Sequence, residues 1–79
     1  MTTTIHEPRA DVTISITING EARRVAGGIS IAALVAEIDL NPKKVAVERN
    51  LEIVPRSTLG AVMLCDGDVL EIVHIVGGG

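Results

Sequence analysis

The most reactive group that this sequence offers lies at its carboxyl end, where Gly77, Gly78 and Gly79 follow an alternating apolar run from Val69 to Val76. Three glycines carry no Cβ and cover roughly 10 Å when extended, so they fit a cleft too narrow for side chains. A partner enzyme could then hold the terminal carboxylate of Gly79. The alternative, which composition alone favours, is that the glycines are a frayed end or an artificial addition.

Cys65 is the only cysteine, so neither an intrachain disulfide nor a CxxC metal or redox motif can form. A persulfide-carrying role would need an exposed and activated thiol, which a sequence does not reveal. A structural or incidental cysteine is therefore the favoured interpretation.

Aspartates and histidines supply the remaining candidate metal ligands. Asp66 and Asp68 flank a single glycine, whereas a calcium loop needs a much longer run of oxygen ligands, so the pattern predicts a turn. His6 and His74 are two histidines without a third convergent ligand, so no zinc site is predicted. Gly27-Gly28 lacks the rest of a dinucleotide-binding fingerprint and is interpreted as a turn.

Length and composition limit the class of protein. A chain of 79 residues is one small domain, and such a domain buries only about 60% of its unfolded surface, so an elaborate internal active site is not expected. Hydrophobic residues make up 47% of the chain and aromatic residues 0%, which predicts an aliphatic, largely β-branched core.

Charge and hydropathy exclude several partners. The net charge of -3 comes with scattered basic residues and no stacking aromatics, which argues against nucleic acid. No apolar stretch approaches the ~20 residues of a membrane span, and the first residues lack the apolar core of a signal peptide. A cytoplasmic protein that does not enter the membrane is therefore expected.

Alternation and turn residues predict the elements that position the glycines. The predicted strands are Val12 to Ile18, Glu21 to Val25, Lys43 to Glu48, Leu51 to Val54 and Val69 to Val76. Asn19-Gly20 predicts a type I′ hairpin turn, Arg49-Asn50 a second tight turn, and Asp66 to Asp68 a third. Ser30 can cap a helix whose apolar positions are Ile31, Leu34, Val35 and Ile38 and which ends within Asp39 to Pro42. Arg56 to Met63 is predicted to be a connecting turn or short helix.

This order of elements predicts an α+β fold of the β-grasp type, with a mixed sheet of four to five strands wrapped around one short helix. Residues 1–10 are predicted to be a flexible tail, residues 11–76 the folded domain, and residues 77–79 a flexible glycine tail.

The last strand carries apolar residues on both of its faces. Leu70 and Ile72 share one face, and Val73 and Ile75 share the other with Glu71. If the first pair faces the helix, Val73 and Ile75 lie on the open sheet face beside the glycine tail, where they would form a docking surface. Ordinary edge packing is the alternative.

Several stretches together resemble one family, the ThiS sulfur carriers of thiamine biosynthesis, which are ubiquitin-like β-grasp proteins related to the small subunit of molybdopterin synthase. The stretches that carry the resemblance are Asn19-Gly20-Glu21, Val45 to Asn50, Ile53-Val54-Pro55-Arg56, Asp66-Gly67-Asp68, Glu71-Ile72-Val73 and Gly78-Gly79. Two features depart from the family pattern, namely the extension up to Ala10 and the third glycine, Gly77.

The resemblance implies a carrier that is not itself an enzyme and binds no cofactor. A ThiF-type, E1-like enzyme would use ATP and Mg²⁺ to adenylate the carboxylate of Gly79, with Gly77 and Gly78 threading its cleft. A persulfide donor would then supply sulfur to form a thiocarboxylate, which a ThiG-type thiazole synthase uses. The alternatives are the molybdopterin-synthase small subunit, a ubiquitin-like protein modifier and a plain binding module with inert glycines.

Overall fold

A computed structural model of the chain describes the backbone of residues 9–76 and the side chains of residues 12–76. The strands are β1 (Arg9–Ile18), β2 (Glu21–Gly27), β3 (Val45–Arg49), β4 (Glu52–Val54) and β5 (Val69–His74), and the α-helix is α1 (Ile31–Glu37). They form one mixed sheet in the order β2-β1-β5-β3-β4, in which only β1 and β5 run parallel. The predicted β-grasp arrangement is confirmed.

Both hairpins turn through an asparagine with a positive φ. Asn19 and Gly20 have φ values of 49° and 86°, as the predicted type I′ turn requires. The second turn lies one residue later than predicted, at Asn50 and Leu51, with φ values of 51° and 72°. Leu51 therefore does not begin a strand, and Arg49 remains in β3, paired with Glu52.

Local hydrogen bonds define both ends of the helix, and the sequence predicts part of them. The Ser30 hydroxyl accepts a hydrogen bond from the Ala33 amide at 3.1 Å, which confirms the predicted cap. At the other end, Leu40 N donates to Val35 O at 3.0 Å and Asp39 adopts a φ of 66°. This is the geometry of a Schellman motif, with aspartate where glycine is usual.

Strand β1 begins earlier than predicted. Arg9 pairs with Gly27, so Arg9 and Ala10 belong to the sheet and not to the predicted tail, whose boundary was wrong by two residues. An irregularity in register between Arg9 and Thr13 hides this extension from a simple alternation pattern. The rest of the predicted amino-terminal tail, residues 1–8, lies outside the described residues.

Two other strand boundaries also differ. Lys43 and Lys44 lie in a 3-10 turn that Asn41 caps through its side chain, at 2.9 Å from the Lys43 amide, so β3 begins only at Val45. A second 3-10 turn, Arg56–Thr58, lies within the predicted connection. β5 ends at His74, two residues before the predicted end of the strand.

The core between the helix and the sheet is entirely aliphatic. Its buried members are Ile16, Val25, Ile29, Ile31, Leu34, Val35, Val45, Val47, Leu59, Leu64, Leu70 and Ile72. Of the predicted core residues on the helix, Ile38 is only partly buried, because it caps the helix end.

Leu34→Ala is expected to lower the free energy of unfolding by about 2–5 kcal/mol, because Leu34 is fully buried at 0% exposure and its loss leaves a cavity. That is a large share of the roughly 5–15 kcal/mol that stabilises a typical domain. Chemical denaturation followed by circular dichroism measures the change. Ile53→Ala is the matched control, since Ile53 is 70% exposed and its truncation should change stability by less than about 1 kcal/mol. Equal losses in both variants would contradict the core assignment.

Candidate functional site: the last strand and the open sheet face

The candidate site is built on β5, the central strand of the sheet and the last element before the glycines. β5 pairs with β1 on one side and with β3 on the other. Gly77, Gly78 and Gly79 lie outside the described residues, so their predicted roles stay predictions. The structure describes instead how the strand that leads to them is held.

Asn19 forms three hydrogen bonds to β5 from the β1 side. Its backbone amide donates to Leu70 O at 2.9 Å, while its side-chain oxygen accepts from the Ile72 amide at 2.8 Å and its side-chain nitrogen donates to Ile72 O at 3.1 Å. β1 has ended at this point. The side-chain amide of Asn19 makes the two hydrogen bonds to Ile72 that the main chain of a longer β1 would have made.

Asn50 forms two hydrogen bonds to the beginning of β5 from the β3 side. Its amide donates to Val69 O at 2.8 Å, and its side-chain oxygen accepts from the Val69 amide at 2.9 Å. Asn19 and Asn50 both have the positive φ of a turn residue, so each of the two hairpin turns hydrogen-bonds to β5, one from either side. Sequence analysis assigned both residues to turns and missed this second role.

Asp68 is the buried acceptor at the start of β5, with 7% exposure. It accepts hydrogen bonds from the Cys65 amide at 2.8 Å and from the Asn50 side chain at 3.0 Å. The Arg49 guanidinium lies 3.5 Å from the same carboxylate and also donates to Met63 O at 3.0 Å. The predicted turn is therefore correct, but Asp68 additionally joins three segments of the chain.

Asp66 has a different task in the same turn. Its carboxylate accepts from the Ser15 amide at 2.7 Å, which ties the turn to β1. Across the described part of the chain, no group of three or more histidine, cysteine, aspartate or glutamate side chains could hold a metal ion. Both aspartates thus have protein partners, as expected for structural turn residues.

The other candidate side chains are separated from the glycine tail or exposed to solvent. Cys65 has an exposed, free thiol in the turn before β5. The six residues of β5 span about 20 Å, so Cys65 and His74 lie near opposite ends of this strand. His74 is exposed at the end of β5, and His6 lies outside the described residues. Gly28 has a φ of 81°, which confirms a turn there, while Gly27 closes β2.

The open face of the sheet carries the predicted docking residues. Val73 is 62% exposed and Ile75 is 38% exposed, whereas Leu70 and Ile72 face the core, so the predicted division of the last strand is confirmed. Ala46 is the cross-strand partner of Val73, and its small side chain leaves Val73 accessible. Glu48 and Glu71 form the next pair of residues on this face. The docking role itself stays a prediction.

None of the helices within residues 9–76 has both the length and the apolar content needed to cross a bilayer.

The family model for ThiS matches residues 16–79, which is most of the chain and includes the three glycines. The chain belongs to the ThiS family. The family resemblance seen in the sequence is therefore confirmed, and so is the ubiquitin-like β-grasp fold.

Individual relatives agree with this family assignment. The sulfur carrier protein ThiS of Bacillus subtilis is 52% identical over 50 residues, which cover 63% of this chain and 76% of that protein. The crystal structure of the thiamine biosynthesis protein ThiS from Geobacter metallireducens superposes with a TM-score of 0.70 at 29% identity, covering 84% of this chain and 100% of that one.

A longer relative also contains a ThiS-like segment. The thiazole synthase of Paramagnetospirillum magneticum is 48% identical over 66 residues, which cover 84% of this chain but only 20% of that protein. The chain therefore spans about one fifth of the length of this relative.

Proposed function

We propose that this ThiS-family chain carries sulfur as a thiocarboxylate on the C-terminal carboxylate of Gly79. The observation that carries the proposal is the family match, which runs without interruption from β1 through Gly79. The hydrogen bonds from Asn19 and Asn50 to β5 support it, because they hold in place the strand that precedes the glycines in the sequence.

The proposed chemistry begins with activation, because a carboxylate is a poor electrophile. A ThiF-type adenylating enzyme joins the Gly79 carboxylate to the α-phosphate of ATP and releases pyrophosphate. The terminal sulfur of a donor persulfide then attacks the carbonyl carbon and AMP leaves. A thiol cleaves the resulting sulfur–sulfur bond, which leaves a C(=O)S⁻ group on Gly79.

In this proposal the chain is a co-substrate and not a catalyst. ATP and Mg²⁺ are bound by the adenylating enzyme, and the persulfide belongs to a separate donor. The residues of this chain contribute recognition and reach: Gly77 and Gly78 thread the partner's cleft, while Val73 and Ile75 form the surface that docks. The exposure of both apolar side chains beside the glycine tail supports the docking role.

Thiazole synthase is the proposed acceptor of the sulfur. A thiazole synthase that contains a segment 48% identical to this chain supports it, because joining the two in one polypeptide brings carrier and acceptor together. A molybdopterin-synthase small subunit would require a different catalytic partner, and a protein modifier would give an isopeptide adduct. Incubating the loaded chain with thiazole synthase distinguishes these fates.

Sulfur loading itself is directly measurable. Incubation with the adenylating enzyme, Mg·ATP and a persulfide donor is expected to replace one oxygen of the Gly79 carboxylate by sulfur, which intact-mass and peptide mass spectrometry locate. Cys65→Ser is the matched control, and it should load normally because Cys65 lies at the far end of β5. Sulfur found on Cys65 instead of the last peptide, or no mass change at all, would overturn the proposed function.

A further inference from the structure

One edge of β5 is covered only in part by the strands within residues 9–76. β1 and β5 pair only at Thr17 with Val69 and at Ile18 with Leu70. β1 then ends, and the chain turns away into β2. The Asn19 side chain occupies one further position by bonding both main-chain groups of Ile72. After that position, no strand within residues 9–76 borders β5 on this side.

The main chain of His74 faces this open edge. Successive residues of a strand direct their N–H and C=O groups to opposite sides. Ile72 directs its groups toward Asn19, and Ile75 N donates in the other direction, to Lys44 O at 2.8 Å. His74 lies two residues after Ile72, so its N–H and C=O point to the Asn19 side. His74 is an exposed residue, and β1 pairs with β5 only as far as Leu70, so no strand within residues 9–76 covers these two groups.

The residues along this edge of β5 include none of the usual features that prevent an added strand from pairing with it. Exposed edges are usually protected by proline, lysine or a bulge. His74, Ile75 and Val76 include neither proline nor lysine, and two of the three are β-branched residues that favour extended backbone. The regular pairing of β3 with β5 continues up to His74, so no bulge is present there.

We propose that this edge receives an extended segment of thiazole synthase as an added strand, which bonds to the N–H and C=O of His74. The proposal rests on the proposed function and specifies how that partner holds the chain. Thiazole synthase is chosen as the occupant because one thiazole synthase carries a segment 48% identical to this chain in the same polypeptide, which keeps such an edge beside that enzyme. Because Asn19 already satisfies Ile72, the first free register position is His74, three residues before the glycines begin. Strand addition there would extend the sheet up to the residues that immediately precede the glycines in the sequence.

Hydrogen exchange at single-residue resolution tests this proposal. In the chain alone, the His74 amide should exchange rapidly, whereas the Ile72 amide, on the same side of the strand, should be protected by Asn19. With saturating thiazole synthase from the same organism, exchange at His74 should slow at least 10-fold, while Ile72 should change little. Rapid exchange at His74 in the saturated complex would overturn the proposal.

Backbone substitution provides a second test with matched controls. His74→Pro removes the N–H that faces the open edge but breaks no bond to β3, so the variant should keep its circular dichroism spectrum and lose at least 10-fold in affinity for thiazole synthase. His74→Ala keeps the amide and should bind normally. Unchanged affinity in a folded His74→Pro variant would contradict strand addition.

Two further outcomes separate the competing explanations. Concentration-dependent protection of His74 in the chain alone would show that a second copy covers the edge, which would overturn thiazole synthase as its occupant. Loading of Gly79 is measured on the same samples. Normal loading without protection of His74 refutes the strand addition alone, whereas absent loading refutes the proposed function.

Discussion

Deleting Gly79, or appending residues after it, is expected to abolish sulfur loading while the domain stays folded. In the proposed mechanism the reacting carbon is the carboxyl carbon of Gly79, the last of three glycines. Its position relative to the adenylating site depends on the number of residues after β5. Removing one residue shortens the reach by about 3.3 Å, and appending residues replaces the carboxylate by an amide that cannot be adenylated. Misplacement of this size costs about 100-fold or more in rate.

The measurement is intact-mass spectrometry of the loaded chain, with a chemical melt to verify folding. The matched control is the same appended sequence placed before Met1, which should load normally. Stability should be unaffected, because the last core residue in the sequence is Ile72. Normal loading of an extended form that is verified as uncleaved would contradict a mechanism at Gly79.

Local sequence signals were sufficient for the elements that position the site. The period of two in the last strand separated Leu70 and Ile72 from Val73 and Ile75, because neighbouring side chains of a strand must lie on opposite faces, and the structure shows that the first pair is the buried one. Asn19-Gly20 predicted its turn because few other residue pairs accept two positive φ values. Leu51 was misplaced for the converse reason, since leucine rarely adopts a positive φ.

The contacts that hold β5 could not be predicted, because they join residues far apart in the sequence. Asn19 and Ile72 are 53 positions apart, and their pairing depends on β1 and β5 being neighbours in the sheet. The buried position of Asp68 similarly depends on Arg49 and Asn50 arriving from another hairpin. The open edge at His74 is a property of sheet order and strand length, which no local pattern encodes.

Val73→Asp is expected to weaken binding of the adenylating enzyme by about 2–5 kcal/mol, or roughly 30-fold or more in Kd. Val73 projects from the open face next to Ala46, in the strand that leads to the glycines. Docking there would bury the new carboxylate without a partner, and burial of an unpaired charge is costly. Because Val73 is 62% exposed in the free chain, the isolated domain should lose little stability. Ile75→Asp should act in the same direction, with a larger effect on folding since Ile75 is only 38% exposed.

Calorimetric titration, with circular dichroism as the folding control, separates this face from the rest of the molecule. Val73→Lys should also weaken binding if burial of any charge is the cause, whereas tighter binding would mean that the partner offers an acidic group there. Ala36→Asp is the matched control, since Ala36 is exposed on the helix, which covers the opposite side of the sheet.

Trimming residues 1–8 should change the affinity little. Trimming to Ala10 would also remove the pairing of Arg9 with Gly27, so a change in affinity could then come from the altered sheet. Normal affinity in both folded Asp variants would exclude the open face as the docking surface, because no partner could cover Val73 and Ile75 and be indifferent to two buried carboxylates.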